Sequence, residues 1–271
     1  MSDQLRRRSV GAPAARSALL TVLGEFVLPA PGGVWQETLV AALVTLGYKP
    51  QAARQALARS VTAGWLRTER RGRRSRVHLT EETAAMLRTG AGRIYGFGAP
   101  REWDGRWLLV VLRGPEQQRE VRHRFRTRLA WAGFGSLGGG LWISPHVERE
   151  RELADAGGDG SGAELGTLGE PERLVDEAWD LDAVAAAYED FVTAFEGLRP
   201  STPEAVFRAQ TLLVHGWRRF PFLDPDLPES VLPAGWPRRR ALEVFRARHA
   251  AWHEGAQEHF RALDAVNRAA A

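Results

Sequence analysis

The chain contains no cysteine among its 271 residues. That one absence excludes disulfides, iron–sulfur clusters, thiol nucleophiles and every zinc ribbon or finger built on thiolates. No apolar run approaches the ~20 residues that a membrane-spanning helix requires, and no apolar core follows Arg6-Arg7-Arg8 as it would in a secretory signal. A cytoplasmic protein with no membrane segment is expected. Lysine is nearly missing as well, Lys49 being the only one. Such arginine bias reflects coding composition, so the position of a basic residue carries the information and its identity does not.

The charge that is present is unevenly spread. Residues 1–100 hold 15 Lys+Arg against 6 Asp+Glu, a balance of +9, whereas residues 101–271 hold 22 against 27, a balance of −5. A basic head on a mildly acidic body is the electrostatic layout of a nucleic-acid-binding module joined to a regulatory or oligomerising one.

The basic surplus centres on residues 49–79. Residues 49–63 form a helix-prone run in which Ala53, Ala56, Leu57, Ser60 and Val61 share one face by the 3.6-residue period. Gln51, Arg54, Gln55, Ala58 and Arg59 share the other. Gly64 stops the helix, residues 65–68 have strand composition, residues 70–76 make a basic turn, and residues 77–79 return as a second strand. That order reads as a recognition helix followed by a wing. The competing reading is an amphipathic helix with an ordinary solvated face; the basic hairpin after it and the helices before it favour recognition. Gln51, Arg54, Gln55 and Arg59 are the groove-facing candidates, because arginine pairs with guanine and glutamine with adenine in bidentate fashion, each worth about 1–3 kcal/mol of discrimination. Lys49, Arg70, Arg71, Arg73, Arg74 and Arg76 suit phosphate contacts, which supply affinity and salt dependence without base choice.

The remaining pattern predicts an α+β chain. A disordered leader over 1–16 precedes a winged helix-turn-helix domain over 17–95. Ser17 caps a helix over 18–27, a second helix covers 36–46, and the capping box Thr80-Glu81-Glu82-Thr83 opens a fourth helix to about residue 88. A Gly/Pro-rich linker leads to a buried strand over 106–112. A helix over 116–131, strands over 134–137 and 141–144, a charged helix over 146–156 and a strand over 164–168 then give β-α-β-β-α-β order, hence a ferredoxin-like domain over 106–170. Residues 180–271 are helical, with helices over 181–197, 203–217 and 238–267 and a proline-punctuated connection between the last two.

Catalytic motifs are weak. His249 and His253 stand four apart, a spacing that can grip a metal, with Glu254 and His259 nearby, but no second ligand cluster is visible and no metal is assigned. His253-Glu254-Gly255-Ala256-Gln257 lacks the second histidine of a zinc-protease helix. Gly138-Gly139-Gly140 lacks the Lys-Ser/Thr of a phosphate loop, and neither Ser144 nor Ser161 sits in a nucleophile elbow. No cofactor is expected.

Trp65-Leu66, Arg71-Gly72-Arg73-Arg74-Ser75, Leu79-Thr80 and Trp103-Asp104-Gly105-Arg106-Trp107 resemble the PaaX family of transcriptional repressors. So does the late stretch His215-Gly216-Trp217-Arg218-Arg219-Phe220-Pro221-Phe222-Leu223-Asp224-Pro225-Asp226-Leu227-Pro228, with Leu232-Pro233-Ala234-Gly235-Trp236-Pro237 after it. The resemblance implies a dimeric repressor that binds double-stranded DNA and is released by phenylacetyl-CoA or a related acyl-CoA. It also implies that the central domain is similar to the small nuclease-like subunit of CRISPR adaptation complexes. That subunit ends its first strand on an aspartate, whereas this chain reads Leu112-Arg113-Gly114. The alternative of a metal-dependent nuclease therefore lacks its carboxylate, and the domain is expected to serve dimerisation. Arg218 and Arg219 are the candidates to meet an effector's phosphates, with Trp217 and His215 beside its apolar moiety; the competing reading has them pin the proline-rich connection to the core.

Overall fold

The computed structural model describes residues 14–29, 32–99, 102–112, 125–130, 132–147, 161–166 and 169–269. In chain order the elements are α1 (Ala15–Val22, continued by a π turn over Leu23–Val27), β1 (Val34–Trp35), α2 (Gln36–Thr45), α3 (Pro50–Thr62), β2 (Leu66–Arg71), β3 (Arg74–Leu79) and α4 (Glu81–Gly96). Strands β4 (Trp107–Leu112), β5 (Gly135–Gly138), β6 (Leu141–Ser144) and β7 (Ser161–Gly166) follow. Helices α5 (Pro171–Ala178), α6 (Leu181–Phe195), α7 (Pro203–Trp217), α8 (Phe220–Leu223) and α9 (Arg238–Ala269) complete the chain. An α/β region thus leads, a sheet occupies the middle and helices close the sequence.

Compaction cuts across that order. One unit gathers Met1–Tyr95, Gly197–Trp217 and Phe245–Ala271; the other gathers Gly96–Glu196 and Arg218–Val244.

In the first unit, Leu19, Val22, Leu23 and Phe26 of α1 meet Leu39 and Leu43 of α2, Ala53, Ala56 and Leu57 of α3, and Leu66 and Val77 of the hairpin. The same core takes Phe207 from α7 and Ala256 and Phe260 from α9. The Phe26 ring lies 4.9 Å from Phe207 and 5.2 Å from Phe260. The head is therefore closed by residues from the far end of the chain. Helix α2 starts after Trp35, which has no side-chain acceptor to satisfy a free N–H of the first turn. Buried Asp264 of α9 does so instead, its Oδ1 accepting from Trp35 N and Thr38 Oγ1, both at 3.0 Å.

Three local expectations change here. Helix α1 begins at Ala15, so Ala15 and Arg16 belong to it and Ser17 lies inside its first turn, its N–H bonded to Ala14 O. The Arg16 guanidinium sits 4.0 Å over the Trp65 ring, a tertiary contact that anchors this early start. Helix α4 runs to Gly96 rather than stopping near residue 88, through Gly90 and Gly92, each costing about 1 kcal/mol relative to alanine. Tertiary bonding at its end offsets this, Trp217 Nε1 donating to Ile94 O at 3.1 Å. Its start is as expected, Thr80 Oγ1 accepting from Thr83 N.

Buried Glu25, at the end of α1, is the main polar group of this interior. Burial opposes its ionisation, but hydrogen bonds from His249, Tyr95 and Gln210 outweigh that cost and hold its carboxyl below the usual range.

The second unit is built on an antiparallel sheet of order β5-β6-β4-β7. Strand β4 reads Trp-Leu-Leu-Val-Val-Leu without polar alternation because both faces are covered. Trp107 joins Ile143, Val175, Leu181, Leu227 and Val231, while Leu108 and Val110 join Leu129, Phe134 and Trp142. The helix expected over 116–131 is described only at 125–130, which is helical; the expected helix over 146–156 lies outside the described residues beyond Val147. Helix α5 has no counterpart in the sequence reading. Helix α6 is capped by Asp180, its Oδ1 accepting from Ala183 N at 3.2 Å.

The proline-rich connection is ordered by one guanidinium. Arg238 donates Nε and Nη2 to the two oxygens of Asp224, both at 2.8 Å, and Nη1 to Leu227 O at 3.0 Å. Tyr188 donates to Asp224 Oδ2 at 2.6 Å and stacks on Phe220 at 4.1 Å. Burial, then the Asp224 charge, raises the Tyr188 phenol far above its ordinary value, so it stays a donor.

Candidate nucleic-acid interface

Helix α3 divides its residues as its period requires. Ala53, Ala56, Leu57 and Ser60 are buried; Gln51, Arg54, Gln55, Ala58 and Arg59 are exposed. Lys49 is exposed at the N-cap, and Pro50 occupies N1, where a missing N–H is harmless. The first turn carries no acidic residue and no side-chain cap, so the positive end of the helix dipole is left open beside Lys49. No Asp or Glu occurs between Glu37 and Glu69. Among the described residues, no carboxylate pairs with Lys49, Arg54 or Arg59.

The hairpin is tied to the end of this helix. Trp65 N donates to Ser60 O at 2.9 Å, and Thr80 Oγ1 donates to Gly64 O at 2.9 Å. Its two strands pair from Leu66↔Leu79 to Arg71↔Arg74, leaving only Gly72 and Arg73 in the turn. Gly72 has φ +62°, the pattern of two-residue hairpins that place glycine first. The basic stretch 70–76 is thus mostly strand, not turn as the composition indicated, because the arginines pair across the ladder. Alternation then separates them. Leu66, Thr68 and Arg70 share a face with Ser75, Val77 and Leu79; Arg67, Glu69 and Arg71 share the other with Arg74, Arg76 and His78.

Packing sorts the arginines further. Arg70, Arg71 and Arg73 are exposed. Arg71 pairs with Glu69 at 2.5 Å, and Glu69 also meets His78 at 3.1 Å, so one carboxylate offsets part of the wing's charge. Arg74 and Arg76 are half-buried and turned inward. Arg74 Nη1 donates to Asn267 O of α9; Arg76 Nη2 donates to Gly33 O at 2.7 Å, with its guanidinium 5.5 Å over the Trp35 ring. These two hold the hairpin to α9 and β1. Arg67, absent from the expected set, is exposed on the Arg71 face, and strand alternation is the signal that finds it.

The four expected effector residues are spread over both units. Trp217 is wholly buried, stacked 4.7 Å from Phe245, with its one donor already used on Ile94 O. His215 Nδ1 lies 3.0 Å from Thr21 Oγ1. Arg218 is partly buried, and loss of solvent lowers its pKa; Arg219 is exposed. Trp217 thus serves the core between α4 and α9.

Comparisons with known proteins cover all three parts of the chain. Residues 14–83 match a model described as PaaX-like protein, residues 100–157 the PaaX protein central Cas2-like domain, and residues 179–262 the PaaX-like protein C-terminal domain. Over 251 residues the chain is 32% identical to the transcriptional repressor PaaX of Escherichia coli (strain K12), covering 86% of this chain and 78% of that one. A solved structure, the uncharacterized protein Rv0674 from Mycobacterium tuberculosis, superposes with a TM-score of 0.65 at 22% identity, covering 92% of this chain and 98% of that chain. The protein is a DNA-binding transcriptional regulator, not an enzyme. It belongs to the PaaX family. Among the described residues no helix is long and apolar enough to cross a membrane.

Proposed function

We propose that the chain is a cytoplasmic repressor whose head is a winged helix: α3 enters the major groove and the β2–β3 wing lies on the flanking phosphates. The observation that carries this reading is the exposed, carboxylate-free face of α3, bearing Gln51, Arg54, Gln55 and Arg59 and bonded at its end to an arginine-bearing hairpin. Lys49, Arg70, Arg71 and Arg73 supply phosphate contacts. Arg74 and Arg76 act mainly by fixing the wing, given their internal bonds. The sheet order and strand directions of the second unit support a ferredoxin-like domain serving homodimerisation, so that two heads read two half-sites.

Release follows from an effector that binds the DNA-competent and incompetent states unequally. An acyl-CoA such as phenylacetyl-CoA is the proposed effector, with the exposed guanidinium of Arg219 and its neighbour Arg218 on its phosphates. The test is selection of bound fragments from the source genome, then mobility shift of the enriched site with Arg54→Ala, Gln55→Ala and added acyl-CoA thioesters. Each α3 variant should lose about 1–3 kcal/mol of discrimination at a defined base pair, and a thioester should free the DNA. A wild-type protein that binds all duplexes equally at low salt would end this reading.

A further inference from the structure

Glu25 of α1 is 224 positions from His249 in sequence, yet Glu25, His249 and His253 bring one carboxylate oxygen and two imidazole nitrogens within 4.8 Å of one another. We propose that this cluster binds a divalent transition-metal cation of the zinc class. It lies wholly in the first unit and is independent of the DNA-binding surface.

Three observations converge on a cation. The two histidines stand four apart on α9, one turn, and their rings stack at 5.0 Å and 25°, so both face the same side. His249 Nε2 lies 3.5 Å from Glu25 Oε2, at the outer limit of a hydrogen bond and close to the ~3.4 Å edge of a tetrahedron of ligands held about 2.0–2.1 Å from zinc. His253 Nδ1 is buried without a hydrogen-bond partner among the described residues, an unusual cost for a buried polar atom.

The surroundings are those of a second layer of ligand support. Tyr95 donates to Glu25 Oε1, Gln210 Nε2 donates to Glu25 Oε2 at 3.2 Å, and Gln257 Nε2 donates to Glu25 O at 2.7 Å. The bonds from Tyr95 and Gln210 fix the carboxylate's orientation, as outer partners of metal ligands do. Gln210 is fully buried, and its Oε1 has no partner among the described residues. Two nitrogen ligands in three select zinc, cobalt or nickel over magnesium or calcium, which take oxygen sets. Three protein ligands leave a fourth position to water. The His249/His253 spacing is visible in the sequence; the third ligand is not, because only the fold carries α1 to α9.

The full-length chain, treated with chelator and dialysed, should take up about one Co²⁺ per chain with visible ligand-field absorption, displaced by Zn²⁺. Its melting temperature should rise with Zn²⁺ and not with Mg²⁺. His253→Ala, at a half-buried position, should weaken binding roughly tenfold or more, and Glu25→Gln should do the same. Glu254→Gln, an exposed neighbour on α9, should bind as wild type. In the wild-type chain, Zn²⁺ should also protect His249 and His253 from acylation by diethylpyrocarbonate, a readout that needs no variant. No cobalt spectrum, equal affinity in His253→Ala, or no protection would each overturn the site; an equal response to Mg²⁺ would overturn its chemical class.

Discussion

Arg238 grips Asp224 through two parallel hydrogen bonds, both 2.8 Å, and the carboxylate side chain is wholly buried. Burial alone would lower the pKa of the guanidinium, but the Asp224 charge more than reverses this, so Arg238 stays charged. With Tyr188 and Leu227 O, the pair makes the stretch Asp224-Pro225-Asp226-Leu227-Pro228 the socket of an interior ion pair.

Removing one partner strands the other. Asp224→Ala should destabilise the chain by about 3–5 kcal/mol, and Asp224→Ala with Arg238→Met should cost less than the sum of the two single changes. Urea unfolding of the three variants measures this; additive losses would show that the two groups act separately.

The wing arginines should separate into two classes. Arg76→Ala removes the donor to Gly33 O and the cation over Trp35, and should lower stability by about 1–3 kcal/mol. Arg73→Ala, at the exposed tip, should leave the melting temperature unchanged. It should instead reduce DNA affinity for all sequences alike and flatten the salt slope by about 0.9. Calorimetry and salt-dependent anisotropy read the two effects.

Two glycines with left-handed backbones should respond unequally to alanine. At Gly33, φ is +69° and a Cβ would fall 2.5 Å from His78 Nδ1 and 2.7 Å from Val77 O. At Gly72, φ is +62° and the Cβ would enter open space. Gly72→Ala should therefore cost only the left-handed penalty of about 1–2 kcal/mol, and Gly33→Ala distinctly more. Equal melting temperatures would refute the close approach of β1 to β3.

Acid should weaken the first unit through His259. Its imidazole is held below the ordinary value by burial, only partly countered by Glu204, and its Nε2 is buried without a partner among the described residues. The unfolded chain then binds the proton better, so the stability is complete above the unfolded pKa of about 6.5 and declines as pH falls through it. Melting curves between about pH 7.5 and 5.5 should show a smaller decline in His259→Gln than in wild type.

The sequence was most legible where structure is local. The buried and exposed faces of α3, the start of α4 at Thr80, the start of α6 at Leu181 and the span of α7 follow from periodicity and capping among residues at most four apart. The hairpin was legible in outline only, because arginines carry no strand signal and the length of the ladder is set by β1 pairing with β3. Helix α4 outran its local propensity for the same reason, a bond from Trp217 over 123 positions holding its end.

By itself, then, the sequence determined most of the helices with their apolar faces, though not β1 or α5, together with the basic helix-and-hairpin surface and the family to which these belong. Tertiary structure alone decided that Phe207 and Phe260 complete the core of the head, that Asp264 caps α2 from 229 positions away, that Arg74 and Arg76 turn inward, and that Glu25 meets His249 and His253. The division has one physical cause: helical period and capping are encoded within a few residues, whereas burial and ion pairing depend on which distant segments the folded chain brings together.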